Sequence, residues 1–391
     1  MTRNTEPGTG TSLKVLVLAR HFPPAISGGA RRPYMWVKGF QSVGADVFVV
    51  APELPDDVVG IAVEHPNPDP TTVLPRTKGL RDIAREWLLW PDPDVRWVQR
   101  AWRLAIETCP FQPDLIFTTS PPESIHVSGA PLKAHWPSAK WAIDARDHWL
   151  IRAFRPERRK PVRRMLETRI APRILREVDA VFAVNEAISE EYRGFQPNAL
   201  HAVVPHFLHA VKQVHAFPDE TIDIVHTGSF ILSDPDVRID PLLDIFADIA
   251  RETPQLVLNL VGRLRDDETA RVEGFGLGDQ VRIHGTVPLE QSLAMQRGAD
   301  ALAVIAAPNS AVPPGKMAEY RSSGRPVIPF GSGAWLGKID DDTRTAGERL
   351  RALTRGETLA VHDQIAPATP EEIAGRALQT LFPDAGLFDR D

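Results

Sequence analysis

Residues 313–330 place a lysine and a glutamate three positions apart within turn and helix signals that would hold them together. The letters PPGKMAEYRSSGRPVIPF predict a loop, a short helix over 316–323, a stop at Gly324 and a buried strand. Backbone N–H groups and the helix dipole favour an anion at such a helix start, so Lys316 is a candidate phosphate or diphosphate ligand. Glu319 follows one turn later and could accept hydrogen bonds from the vicinal hydroxyls of a ribose. A solvated surface lysine and glutamate is the alternative that this spacing leaves open.

Two series of alternating strands and helices would position these groups. The first starts with the continuous apolar run of residues 14–20, then continues with a helix over 34–43 and a strand over 46–51, which is typical of a doubly wound parallel sheet. The same alternation starts again at residue 222. The chain is therefore predicted to be an α/β protein with two Rossmann-like, doubly wound parallel-sheet domains.

The composition of the connecting segments predicts the domain bounds. We expect a disordered lead-in at 1–12, a first domain at 13–205, a linker at 206–221, a second domain at 222–370, and a C-terminal helix within 371–391 that crosses back to the first domain.

Polar residues follow the strand patterns of the first domain. Ser120, His126, Asp144, Arg146 and Asp147 come after two buried strand patterns, and open α/β sheets bind ligands beside such strand ends. We expect these five side chains on the acceptor side of a binding cleft. A histidine satisfied within its helix and a local Asp144–Arg146 ion pair are the alternatives.

A glycine pair in the first strand–helix loop is a further candidate for ligand contact. Gly28 and Gly29 would let the backbone approach a ligand without a Cβ clash, although a plain flexible loop explains them equally well. The spacing G-x-G-x-x-G is missing after this strand and after the first strand of the second domain, which disfavours a dinucleotide-dependent oxidoreductase.

The segment PGKMAEYRSSGRPV at 314–327 resembles the donor-site helix of family-4 glycosyltransferases, which have the GT-B fold. The resemblance implies two domains that face a central cleft. It implies that Lys316 meets the diphosphate of a nucleotide sugar and Glu319 its ribose, with Pro314 and Gly315 forming the start of the site.

The same family often has a second glutamate eight residues before the first, in contact with the donor sugar. Ala311 occupies that position here, and backbone groups around 309–312 are the candidate replacement.

Other motifs extend the resemblance through most of the chain. The Phe-Pro-Pro and Gly-Gly loop resembles one that faces the cleft, where Arg31 or Arg32 could meet a phosphate. The sequences TSPPESIH and DARDHW resemble first-domain motifs that line the cleft, which makes His126 and Asp147 catalytic candidates beside Lys316. On the nucleotide-sugar side, the resemblance implies these further residues: Gly28, Gly29, Gly228, Ser229, Arg238, Arg263, His284, Gly285 and Val287.

Composition excludes several classes of protein. The 391 residues carry a net charge of −6, which disfavours a nucleic-acid partner, and no apolar run approaches the roughly 20 residues of a membrane-spanning helix. The polar lead-in does not resemble a signal peptide. A single cysteine, Cys109, excludes an intramolecular disulfide framework and favours a reducing cytoplasm.

The segment 151–178 is strongly basic, with ten Lys or Arg residues against three Glu. A solvated helix is one interpretation. The other is contact with an anionic membrane or a lipid diphosphate, worth about 1 kcal/mol for each basic residue near the surface. A cytoplasmic protein, peripheral on the inner face of the cell membrane, would follow from the second interpretation.

Taken with the resemblance, these features predict a retaining glycosyltransferase of cell-envelope or exopolysaccharide type, acting on a nucleotide-diphosphate sugar and a glycan or lipid-linked acceptor. We expect no metal site and no required cofactor. A nucleotide-sugar 2-epimerase and a catalytically degenerate nucleotide-binding protein are the alternatives, the second because of Ala311.

Overall fold

The chain divides into two units in a computed structural model. The first unit is Met1–Phe207 with Ala368–Asp391, and the second is Leu208–Pro367. The structure describes residues 12–25, 28–66, 89–150, 161–207, 213–231, 236–308, 313–336, 342–361 and 368–383.

A parallel sheet forms the centre of the first unit. Its strands are β1 (Lys14–Ala19), β2 (Asp46–Ala51), β3 (Gly60–Ala62), β4 (Leu115–Ser120), β5 (Lys140–Ala145), β6 (Ala180–Ala183) and β7 (Leu200–Val203). Their order is β3-β2-β1-β4-β5-β6-β7. All strands are parallel, and successive strands are added on one side of β1 up to β3 and on its other side from β4 onwards. The carboxyl edge beside such a reversal of strand order is where these sheets bind ligands.

The apolar run of β1 is continuous because helices cover both faces of the sheet. Val15 and Val17 pack into the core on one face, and Leu16 and Leu18 pack into the core on the other. The helices of this part are α1 (Gly28–Ser42), α2 (Val95–Thr108), a 3₁₀ helix (Glu123–Ser128), α3 (Gly129–His135), α4 (Pro161–Ile174) and α5 (Glu186–Phe195).

Three predicted boundaries in the first unit were wrong. Helix α1 begins at Gly28 rather than at residue 34, and Pro33 lies in its second turn, where the missing N–H of a proline leaves one helical hydrogen bond unmade. The apolar residues at 203–206 predict the last strand of this part, but β7 lies at Leu200–Val203. The sequence pattern of residues 80–108 predicts a helix; its part from Val95 is helical, whereas residues 67–88 lie outside the described ranges.

The second unit has its own parallel sheet, in the order β10-β9-β8-β11-β12. Its strands are β8 (Ile222–Thr227), β9 (Leu256–Val261), β10 (Val281–Gly285), β11 (Ala301–Ala306) and β12 (Val327–Gly331). Its helices are α6 (Asp240–Ala250), α7 (Asp266–Gly274), a 3₁₀ helix (Gly278–Gln280), α8 (Leu289–Gly298), α9 (Lys316–Ser323) and α10 (Ala346–Thr354).

Sequence analysis missed α7 and α10. Helix α10 carries a clear signal, because Thr345 and Glu348 form a capping box at its start. Pro288 is the N-cap residue of α8.

The last helix, α11 (Pro370–Leu381), belongs to the first unit and packs on α1. Ala374 and Leu378 are fully buried there. The two helix backbones lie close together at Gly39, since a Cβ built on Gly39 would lie 2.2 Å from the carbonyl oxygen of Pro370. A glycine is therefore required at this contact.

Within the described ranges, no helix combines the length and the apolar character that crossing a membrane requires.

Replacing Gly39 with alanine should destabilise the first unit. The added methyl group would overlap the Pro370 carbonyl, and overpacking of this kind costs about 1–3 kcal/mol. Thermal unfolding followed by circular dichroism measures the change. Gly194→Ala in α5 is the matched control, because a Cβ built there meets nothing within 4 Å. Equal melting temperatures for the two variants would contradict the close contact.

Candidate functional site

Helix α9 places Lys316 at its first position, directly beyond the ends of β8 and β11. Gly324 ends this helix in the left-handed conformation, with φ of 73°. Within the first turn, the amide of Met317 donates to Pro314 (2.9 Å) and the amide of Ala318 donates to Gly315 (3.3 Å). The helix start therefore offers fewer free amides to an anion than the sequence predicted. The Lys316 side chain is consequently the main candidate anion ligand at this position.

The ammonium group of Lys316 is held by two acceptors at the end of β8. It donates to the backbone oxygen of Thr227 (2.6 Å) and lies 3.3 Å from Nε2 of His226. Burial lowers the pKa of Lys316 to about 8, while the nearby Glu319 raises it. The side chain is thus a cation at neutral pH, and its charge is incompletely solvated.

Three glycines with positive φ form a rim beside this lysine, at the ends of three adjacent strands. Gly228, Gly262 and Gly285 have φ of 91°, 143° and 65°. Backbone hydrogen bonds join the rim, from Gly228 to Val261 (2.7 Å) and from Gly262 to Gly285 (2.8 Å).

The rim is free of side chains for steric as well as conformational reasons. A Cβ on Gly262 would lie 2.6 Å from the oxygen of Gly228, and a Cβ on Gly228 would lie 3.1 Å from Nζ of Lys316. A ligand can therefore approach the backbone closely at this edge of the sheet.

Buried polar residues beneath the lysine support the strand end. The hydroxyl of Tyr320 accepts a hydrogen bond from the Thr227 amide (2.8 Å), and the Gln296 side chain donates to Thr227 Oγ1 (3.1 Å). Burial raises the pKa of Tyr320 to about 12, so its phenol stays neutral. Sequence analysis missed this supporting set and His226, although Tyr320 directly follows Glu319 in the motif.

The remaining predicted residues of the second unit differ in their exposure and in their contacts. Arg238 and Arg263 are exposed, and Arg263 directly follows the rim glycine at position 262. The side chain of His284 lies against Asn259 (Nε2 to Oδ1, 2.8 Å), and burial lowers its pKa. These predicted residues are partly buried: Ser229, Val287, Pro314 and Glu319. Residues 309–312, the candidate replacement for the missing glutamate, lie outside the described ranges.

In the first unit, Asp144 is held by Arg32. The Arg32 guanidinium donates to both carboxylate oxygens at 2.7 to 3.0 Å, and Thr119 Oγ1 donates to Oδ2 at 2.8 Å. Arg32 also donates to the backbone oxygens of Val204 (2.9 Å) and Pro205 (2.7 Å). Both charged side chains are buried, at 3% and 0% exposure.

This pair corrects two predictions. Asp144 was expected to face an acceptor, and Arg32 was a candidate phosphate ligand, but each is buried and bonded to the other. Together they join β5 to α1 and to the chain after β7. Ser120 is also buried, and its Oγ donates to the Asp144 backbone oxygen (3.3 Å). These three residues position the strand ends.

His126 lies in the core rather than at a surface. It has no exposed area, its Nδ1 lies 2.8 Å from Thr118 Oγ1, and its ring stacks on Trp149 with centroids 6.3 Å apart. Burial lowers the pKa of His126 to about 4, so the imidazole is neutral. Direct contact with an acceptor, as predicted, conflicts with this burial.

The loop after β5 begins with Arg146, which is buried although it was predicted to face an acceptor, and continues with the more accessible Asp147. Arg146 donates to the backbone oxygens of Ser120 (2.7 Å) and Gly29, and Glu191 accepts from the amide of Leu150 (2.7 Å). Asp147, half-buried, lies within the loop that these bonds hold. Gly29 is in the first turn of α1, so the glycine pair belongs to a helix start instead of the predicted loop.

His206 is a further residue of this region that sequence analysis placed in the linker. Burial is the largest of several effects that together lower its pKa to about 4: the cations Arg32 and Arg146 also lower it, and Asp144 and Asp147 raise it. The ends of β4, β5 and β7 therefore share one cluster of charged groups, most of them engaged with one another.

In the part of the chain that the structure describes, no three His, Cys, Asp or Glu side chains come together in a way that could hold a metal ion.

Comparison with known proteins identifies the fold. No protein-family model matches the chain, and no curated protein matches it. Among solved structures, the chain resembles the Anabaena protein HepE in complex with UDP and glucose, with 16% identity, a TM-score of 0.53, and coverage of 94% of this chain and 95% of that one.

Two more solved structures show the same likeness. WaaG, a glycosyltransferase involved in lipopolysaccharide biosynthesis, gives 14% identity, a TM-score of 0.53 and coverage of 95% of both chains. The apo structure of OtsA gives 12% identity, a TM-score of 0.60, and coverage of 97% of this chain and all of the other. The chain therefore has two parallel-sheet α/β units of the GT-B fold class, as predicted.

Breaking the buried pair through Asp144→Asn should destabilise the first unit by about 3–5 kcal/mol, because Arg32 would keep a buried charge without its counterion. Chemical denaturation measures the loss. Arg176→Ala is the control, since Arg176 is 70% exposed in its pair with Glu177 and should change stability by at most about 1 kcal/mol. Similar stability losses in the two variants would show that the buried Arg32–Asp144 pair contributes no more to stability than an exposed ion pair.

Proposed function

We propose that the protein is a glycosyltransferase that moves a sugar from a nucleoside-diphosphate sugar to a glycan or lipid-linked acceptor with retention of configuration. The observation that carries the proposal is the ammonium group of Lys316, anchored on Thr227 beside a rim of backbone without side chains. A cation beside exposed backbone suits a phosphate group that binds close to the protein backbone.

The chemistry needs stabilisation of a leaving diphosphate. A preorganised cation at that position stabilises developing negative charge, and the half-buried position of Lys316 strengthens the interaction relative to water. Arg263, exposed directly after the rim, is a second cation for the same group. Because protein cations neutralise the charge here, we propose a reaction that requires no metal.

Glu319 is the proposed ribose ligand. It lies one helical turn after Lys316 and is half-buried, so its carboxylate can accept hydrogen bonds from two vicinal hydroxyls.

We propose Asp147 as the acceptor-side residue of the first unit, because it is the more accessible of the two catalytic candidates there.

An anionic membrane surface is the proposed location of the acceptor. On α4, Val162 and Met165 are 58% and 47% exposed, and Arg164, Arg169 and Arg173 are exposed along the same helix. Exposed apolar side chains between arginines suit the headgroup region of a bilayer. A cytoplasmic enzyme at the inner face of the membrane, working in envelope polysaccharide or glycolipid synthesis, is consistent with this face.

One arginine of the basic segment 151–178 has a structural role instead. Arg163 is buried, pairs with Glu167, and lies 3.5 Å from the ring centroid of Trp90. Residues 151–160 of the same segment lie outside the described ranges.

One nucleoside diphosphate should raise the melting temperature of the protein, with or without magnesium. At a free concentration 100 times the Kd, the expected stabilisation is about 2.7 kcal/mol. UDP is the first ligand to test because the similar HepE structure contains it, followed by GDP, ADP and CMP. The absence of any shift would contradict a donor site, and a shift that requires magnesium would contradict the metal-independent mechanism.

Matched variants separate the site from general effects. Glu319→Ala should weaken binding of that nucleotide by about 1–3 kcal/mol, through loss of hydrogen bonds to a charged group. Glu273→Ala, an exposed glutamate of the same unit, should leave the affinity unchanged.

Consumption of the nucleotide sugar without any acceptor would favour an epimerase over a transferase.

Affinity for the nucleotide should fall as pH rises above about 8. The folded-state pKa of Lys316 is lowered to about 8, so its charge is present below that pH and lost above it, and one proton gives a slope of at most tenfold per pH unit. Lys316→Arg keeps its charge over this range and should bind without the slope. An equal fall in affinity for the arginine variant would assign the titration to another group.

Vesicles that contain anionic lipids should bind the protein more tightly than neutral vesicles. Replacing Arg169 and Arg173 of α4 with alanine should weaken this binding by about 2 kcal/mol, at about 1 kcal/mol for each arginine. Arg96→Ala with Arg103→Ala on α2 is the control pair, also exposed and in the same unit. Equal losses for the two pairs would reject α4 as the specific surface, and no binding to either vesicle type would reject the membrane proposal.

A further inference from the structure

His226 contacts Lys316 and has no role in the reaction as proposed above. It is 1% exposed and lies one residue before the end of β8. Its Nδ1 lies 2.9 Å from the backbone oxygen of Ala303, on the neighbouring strand β11. A carbonyl oxygen only accepts hydrogen bonds, so Nδ1 carries the proton of the neutral ring.

The second ring nitrogen is consequently an acceptor, and it faces the lysine. With the proton on Nδ1, the lone pair of Nε2 is free to accept from the Lys316 ammonium group at 3.3 Å. The imidazole stacks on Phe230, with centroids 4.4 Å apart and planes within 11° of parallel. Ala303 and Phe230 thus determine both the tautomer and the orientation of the ring.

The charged and titratable groups around this contact keep the imidazole neutral. Burial lowers the pKa of His226 well below its usual range, and the charge of Lys316 lowers it further. Tyr320, with a pKa of about 12, is neutral on the same helix as Lys316, and Glu319 favours the charged form of the lysine. An acceptor at Nε2 is therefore present throughout the pH range in which the protein would work.

We propose that His226 is a positioning residue for Lys316: its Nε2 and the backbone oxygen of Thr227 each take one hydrogen of the ammonium group, so that the third is presented to the diphosphate of the ligand. The consequence for binding rests on the proposed function, whereas the contact itself does not. A lysine side chain has four flexible carbon–carbon bonds, and a single acceptor would leave its charged end free to rotate away. Two fixed acceptors on the same strand end define its direction.

Two conservative variants separate the two nitrogens of the ring. His226→Asn places an amide nitrogen near the position of Nδ1 and keeps the donor to Ala303, but it removes the acceptor for Lys316. His226→Gln reaches further and places a carbonyl oxygen near the position of Nε2, which keeps the acceptor. A purely structural role in packing on Phe230 would affect both variants alike.

The experiment measures affinity for the nucleoside diphosphate that stabilises the wild-type protein, between pH 6.5 and 9.5, with folding checked by circular dichroism. The asparagine variant should bind roughly tenfold more weakly at pH 7, as expected for one lost hydrogen bond to a charged group. Its affinity should also begin to fall at a lower pH than in the wild type, because the ammonium form has lost an acceptor. The glutamine variant should retain most of the affinity and the wild-type pH midpoint.

A second measurement needs no nucleotide. The ε-carbon resonance of Lys316, assigned with Lys316→Arg, reports the titration of this lysine by NMR, with a midpoint near 8 in the wild type. A lower midpoint in the asparagine variant and an unchanged one in the glutamine variant would support the positioning role, even if no nucleotide bound and the proposed function failed. Unchanged midpoints and affinities in both variants, or equal changes in both, would overturn it.

Discussion

The hydrogen bond from Lys316 to the backbone oxygen of Thr227 is the interaction on which the candidate site depends. A half-buried ammonium group loses part of its hydration, and that loss is tolerable only where acceptors replace the water. The end of β8 supplies them, from a carbonyl and from the imidazole of His226. Because α9 begins at this lysine, the same contact also determines where the helix joins the sheet.

The glycine rim follows from the same requirement for close approach. With side chains at Gly228 or Gly262, the strand ends could not keep their present spacing from each other or from the lysine. Beneath the rim, Tyr320 and Gln296 hold Thr227 by hydrogen bonds, so the carbonyl that anchors the lysine is itself fixed. A rigid support of this kind lowers the reorganisation needed when an anion arrives.

The two units use charge differently at the corresponding edges of their sheets. In the second unit, the described residues give the Lys316 ammonium group two acceptors, and its third hydrogen is the one proposed to meet the diphosphate. In the first unit, Arg32 makes hydrogen bonds to one carboxylate and two carbonyls, and Asp144 accepts from Arg32 and Thr119. The charged groups of that cluster therefore bond mainly within the protein, and Asp147 is the half-buried carboxylate beside them. The solved structures of the same fold class share only 12–16% sequence identity with this chain. A parallel sheet can tolerate such divergence because it needs apolar strands more than particular residues.

The sequence by itself determined the α/β class, the parallel sheets and the short helix at Lys316, because apolar runs, periodicity and glycine stops act within a few residues of one another. It also carries a local signal for α10 in the capping box of Thr345 and Glu348. Only the tertiary structure decided which polar residues are engaged. Arg32 and Asp144 are 112 residues apart, and the partners of His226 come from β11 and α9. Such pairs cannot be recognised from a local sequence pattern, because the order of strands in the sheet brings them together. Their burial depends on helices that are distant in the sequence. For that reason Lys316 could be singled out from its local motif, whereas the histidine that holds it could not.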